Sequence, residues 1–274
     1  MIQSATTPVK VPTALSRATR WPQDNGGMVR TPLLLASLLL SACATPPADE
    51  SPFGASHQLI TVRTLAWGSV DGQLQRWQRG STQDAWQPVG TPWRVTVGHA
   101  GLAWGLGRHA AALHPGPPKR EGDGCAPAGV FALGEAFGYE PAPAWLRWPF
   151  IQATDHLRCP DDPHSRAYNR LVDAHVVPED WNSAEVMRRS DELYRLGVFV
   201  RHNSDPVVAG CGSCIFLHIW SGPGRGTAGC TAMDAADLAQ LLAWLDPGAN
   251  PRLVQLPEES WSAAQQHWGT PDPR

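Results

Sequence analysis

Residues 214–230 read CIFLHIWSGPGRGTAGC, and the fold is decided there. Positions 214–220 are apolar almost throughout instead of alternating. Such a run reads as a central strand, buried on both faces. A glycine-rich loop, 221–229, follows and delivers Cys230. Soon after, Asp234 opens a helix. It is a good N-cap, Asp237 falls in the first turn, and Leu238, Leu241, Leu242 and Leu245 recur at helical spacing. Pro247 and Gly248 end it.

Working outward, 58–62 and 72–77 alternate like half-buried strands, with a turn at 69–72 between them. Residues 93–97 and 199–200 are further strand candidates, and 253–256 reads as a closing strand. Ser183 is positioned to cap a second helix over 183–195. Residues 257–274 are polar, carry Pro271 and Pro273, and read as a loose C-terminal tail. No internal repeat is visible. These elements predict a mainly β chain with a few helices, of α+β class, as one domain over 58–256.

The 274 residues are enough for a real core. Lys+Arg 22 against Asp+Glu 25 excludes a sequence-independent grip on nucleic acid. Among thirteen Trp, most read as core, and Trp220 is the best placed to wall a cleft. Residues 28–43, MVRTPLLLASLLLSAC, place Arg30 before a short apolar stretch and small residues before Cys43. That is a secretory signal too short to span a bilayer. Its ending resembles a bacterial lipobox, which implies a start at Met28, lipidation of Cys43 and a membrane anchor. Residues 1–42 are therefore set aside as an upstream extension and signal, and 43–57 as lipidated Cys and flexible tether. Ala44 points to outer-membrane anchoring on the periplasmic side.

Cys230 sits in a tight glycine-flanked turn before a helix. Backbone N–H groups and the helix dipole favour a thiolate and an oxyanion there. His218, brought back by the loop, is the base that takes the thiol proton. No metal or organic cofactor is expected, since Cys and His suffice for acyl transfer. Gly224 to Gly229 also satisfies GxGxxG, but no acidic residue ends a following strand, so a dinucleotide site is rejected.

His218, Thr227-Ala-Gly-Cys230 and the order of several other blocks resemble the L,D-transpeptidase catalytic domain of the YkuD type. Those blocks are Glu121-Gly-Asp-Gly-Cys-Ala-Pro-Ala-Gly-Val-Phe131, Cys159-Pro-Asp-Asp-Pro163 with Tyr168-Asn169, Asp180-Trp-Asn-Ser-Ala-Glu185, and His202-Asn203. The resemblance spans 58–256 and implies a β-sandwich of the YkuD kind acting on peptidoglycan. It makes Cys230 the nucleophile, His218 the base, and the Gly229 and Cys230 N–H groups the oxyanion hole. Thr227 would order the loop. Apart from the resemblance, position and charge make Thr227, Arg225, His202 and Trp220 candidates for substrate contact, against a solvated loop Arg225, a surface His202 and a core Trp220. Departures are Ala228, where many members carry His, and Ala232, where many carry Arg.

Four cysteines remain, and an oxidising compartment would pair them. The resemblance favours Cys159–Cys214, which leaves Cys125–Cys211. Other readings stay open. The same scaffold could serve an L,D-carboxypeptidase or murein hydrolase, or a non-catalytic peptidoglycan-binding lipoprotein. Cys211-Gly-Ser-Cys214 could serve a thiol oxidoreductase.

Overall fold

A computed structural model describes residues 51–109, 112–113 and 115–272. The signal, Cys43 and the first part of the tether lie outside the described residues. In chain order the strands begin with β1 (Gln58–Thr64), β2 (Asp71–Gln78), β3 (Gln87–Thr96), β4 (Leu102–Trp104) and β5 (Ala126–Gly138). Next come β6 (Phe150–Gln152), β7 (Leu157–Pro160), β8 (Val172–Asp173), β9 (Ala184–Val186) and β10 (Leu196–Val200). Then follow β11 (Phe216–Ile219), β12 (Thr231–Met233), α1 (Ala235–Trp244), β13 (Arg252–Pro257) and α2 (Glu258–Trp268). The class is the mainly β, α+β one expected.

The main sheet runs β10-β11-β12-β3-β2-β1-β13-β5-β4, with β6 added to β5. Because β5 also pairs with β10, the ladder returns on itself. Every residue of β11 is buried, as the central-strand reading required. A separate, smaller sheet runs β8-β7-β9. α1 is capped as expected: Asp234 accepts from the Ala236 N–H at 2.8 Å, and Leu238, Leu241, Leu242 and Leu245 are buried.

Three expectations are corrected. No helix spans 183–195. Instead β9 pairs with β7 in the register Cys159↔Glu185, and the chain then bends through a turn. In that turn Arg189 grips the Asp191 carboxylate, which also accepts from the Leu193 N–H. Sheet pairing and this local carboxylate turn outcompete a helix whose sequence had little apolar periodicity. The second correction is the tail. Residues 258–268 form α2, which buries Trp261, Ala264 and Trp268 and is tied by the Arg63–Glu258 ion pair. Its polar residues are the outer face of an amphipathic helix. Third, the tether is ordered from residue 51: Phe53 is buried and meets Trp86 edge-on at 6.0 Å.

Candidate active site

β11 and β12 are parallel neighbours, in the register Leu217↔Thr231 and His218↔Ala232. Residues 220–230 must therefore travel back along the strands and re-enter beside the start of β11. That return sets Cys230 next to Phe216, whose N–H donates to Cys230 Sγ at 3.3 Å. Alternation along β11 puts His218 on the same face as Phe216. Both His218 and Cys230 line one cavity of about 320 Å³, together with Trp220, Arg225, Thr227 and Gly229.

The loop is held by Thr227. Its N–H donates to Val97 O at 2.9 Å, and its carbonyl accepts from the His99 N–H at 2.8 Å. Its hydroxyl donates to Cys230 O at 2.6 Å and accepts from the Gly229 N–H at 3.1 Å. The loop lies so close to its support that a Cβ on Gly226 would meet His99 Cα at 2.4 Å. These four hydrogen bonds tie Thr227 into the turn. The Gly229 N–H, expected in the oxyanion hole, is already engaged by Thr227.

His218 Nδ1 lies 2.8 Å from the Ile219 carbonyl. A carbonyl only accepts, so Nδ1 carries the hydrogen and Nε2 is the basic nitrogen of the neutral ring, which the Leu193 backbone also contacts. Burial pushes the imidazole down to about 4 and the Cys230 thiol up to about 12. The expected helix-dipole activation is therefore corrected. β12 stands between Cys230 and the first turn of α1, and desolvation dominates the thiol. At rest both partners are neutral.

The cavity also gathers residues that the sequence did not single out: Lys119, Arg189 and Tyr194, and with them Glu121, Asp161 and Glu185. The three acidic residues stood inside quoted blocks without a role. Tyr194 and Arg189 were hidden within the expected helix at 183–195.

His202 does not reach this cavity. It is fully buried, accepts from the Leu106 N–H through Nδ1 at 3.1 Å and donates through Nε2 to Cys211 O at 2.9 Å. Asn169 Nδ2 donates to His202 O and Asn203 O, while Asn169 Oδ1 accepts from the Cys214 N–H. His202 is therefore corrected from substrate contact to a brace for the segment before β11.

Cys159 and Cys214 form a disulfide. Closing a loop with separation 55 stabilises the fold by about 4 kcal/mol on the chain-entropy account. The bridge also abuts the nucleophile, since Cys214 O receives the Cys230 thiol at 3.6 Å. Cys125 and Cys211 are free, which corrects the second pairing. The Cys125 thiol points to Ala100 O at 3.6 Å. The tie between the 121–124 loop and the segment entering β11 is made by Glu121 instead. Its carboxylate accepts from Ser213 at 2.7 Å and from Tyr168, and its N–H donates to Gly210 O. Because Cys214 is bonded to Cys159, Cys211 and Cys214 are not a redox dithiol in this structure.

A family model described as YkuD, L,D-transpeptidase catalytic domain, matches residues 70–254, more than half of the chain. No curated protein matches, and no solved structure does.

Proposed function

Because the chain belongs to the YkuD family of L,D-transpeptidase catalytic domains, we propose that it transfers acyl groups of peptidoglycan stem peptides through a Cys230 thioester. Membership sets the reaction type and the peptidoglycan substrate. The observation that carries the finer reading is that His218, in β11, and Cys230, the residue just before the neighbouring β12, line one cavity.

The chemistry follows from the resting charges. Cys230 Sγ attacks the carbonyl of the diamino acid at the third position, and its proton passes to His218 Nε2. Proton loss and bond formation go together, since burial disfavours a standing thiolate. The Cys230 N–H is the remaining backbone donor of the hole expected for the developing oxyanion. His218 returns the proton to the amine of the departing D-residue, which leaves a thioester. An acceptor amine then attacks the thioester, the cross-link forms and the thiol is restored.

The test is mass spectrometry of disaccharide-tetrapeptide incubated with the protein. Cross-linked dimer or exchange of the terminal D-residue is expected. Tripeptide alone would assign hydrolysis, and unchanged substrate, on fragments and on intact sacculi, would refute the reading.

The signal-like 28–43 segment supports a periplasmic site, with Cys43 lipidated and the protein anchored in the outer membrane. Labelled palmitate should enter the wild type and vanish in Cys43→Ser. Equal labelling in both would remove the anchor.

A further inference from the structure

A thiolate at Cys230 would be a full charge on a sulfur in a residue only 7% exposed. Its neighbours offer little. The Phe216 N–H donates at 3.3 Å, while Cys214 contributes a carbonyl, which can only accept. A buried anion with one long donor is costly to form, and charged acceptors gain most from added donors. The cavity wall contains such a donor.

Tyr194 is 5% exposed and lines the cavity with Cys230 and His218. Its ring meets the His218 imidazole edge-on at 5.1 Å, and it meets Phe216 at 5.4 Å and Phe137 at 5.8 Å. The Arg189 guanidinium lies 5.0 Å from the ring centre. These contacts fix the ring but not the hydroxyl. The hydroxyl hydrogen is aimed at Glu185 Oε2 over 3.4 Å, well beyond the usual O–H···O distance of about 2.7–2.8 Å. A buried phenol with so weak a partner has a hydrogen to give.

We propose that Tyr194 is the side-chain donor to the Cys230 thiolate: its O–H turns from Glu185 to Sγ as His218 removes the thiol proton. The proposal rests on the reading of Cys230 as the nucleophile. The step balances without a further reactant. The S–H bond breaks, its proton goes to His218 Nε2, the electron pair stays on sulfur, and Tyr194 keeps its own proton. Burial, with the charges of Cys230 and Glu185, holds the phenol well above its ordinary range, so it donates without ionising. The same Tyr194 contact favours the Cys230 thiolate, whereas Glu185 opposes it. Other charged groups around the pair are Arg189 and Asp191, from the turn after β9, Lys119 and Glu121, from the segment before β5, Asp161, which follows β7, and Arg225, from the loop before Cys230.

The experiment is the rate of iodoacetamide alkylation against pH, read on the tryptic peptide that carries Cys230, so that Cys125 and Cys211 do not interfere. Tyr194→Phe keeps the ring and loses only the hydroxyl. It should move the profile up by about one pH unit and slow alkylation near neutrality about tenfold. It should also lower kcat on tetrapeptide with little change in KM. Glu185→Gln keeps an acceptor and removes the charge, so its profile should move down. Disturbed packing would not shift the two variants in opposite directions. An unchanged profile in a folded Tyr194→Phe overturns the proposal. If that variant does not fold, an unchanged or upward-moving profile in Glu185→Gln overturns it. Alkylation needs no peptidoglycan, so failure of the wild type on tetrapeptide counts against the acyl-transfer reading alone.

Discussion

Cys230→Ala is expected to lose turnover of tetrapeptide by about 10⁴-fold or more, with its melting temperature close to the wild type's. Cys230 is 7% exposed, and its sulfur hydrogen bonds to the Phe216 N–H and the Cys214 carbonyl are long. The stability effect is therefore small, while the chemistry loses the free thiol that lines the cavity. His218→Ala should fall almost as far, because a thiol held near 12 does not ionise without a base beside it. The two residues act as a unit, so the double variant should be scarcely worse than Cys230→Ala alone. Single-turnover mass spectrometry supplies the second readout: an acyl adduct on the wild type and none on Cys230→Ala. Turnover above about one per cent in Cys230→Ala would remove the thioester mechanism.

The folded protein should lose stability steeply between about pH 6.5 and pH 4. Burial holds both His202 and His218 down to about 4. Above the ordinary histidine range, folded and unfolded chains are both neutral at these sites, and the stability is fully present. Below it, the unfolded chain takes up protons that the folded chain refuses, until the folded pKa is reached. Each histidine then removes about 1.4 kcal/mol per pH unit, or about 3 kcal/mol across the window. Glu185 and Asp237, both raised chiefly by burial, work in the opposite direction and soften the slope. At His202 the reason is visible atom by atom. Both nitrogens are used in the neutral ring, and a second proton would deprive the Leu106 N–H of its acceptor. Urea midpoints at about pH 7 and about pH 4.5 measure the effect. Equal midpoints would mean that these rings titrate normally in the fold.

The elements that carried a clear period were legible. The Asp234 cap and its leucines gave α1, and the unbroken apolar run gave β11. The nucleophile and base lay sixteen residues or fewer from that same run, because a short loop between parallel strands keeps its chemistry local. β5 was not legible. Its sequence APAGVFALGEAFG is buried almost throughout and rich in Ala and Gly, so neither alternation nor β-branching marks it. Glu185, Arg189 and Tyr194 were hidden for a different reason. They reach the cavity only because β9 joins β7, a pairing between segments with no strong pattern of their own. His202 misled because a histidine beside an asparagine looks the same in sequence whether it faces substrate or holds up a loop.

The place of β13 bears on how the protein is made. It is the last strand in the chain, yet it stands between β1, one of the first, and β5. Until residue 257 has been synthesised, β1 and β5 each lack a neighbour and the ring of strands is open. A nascent chain still held at its carboxyl end has no way to close this core, since its most distant pairing in sequence comes last. Vectorial emergence thus leaves the ring of strands unclosed until its last strand arrives.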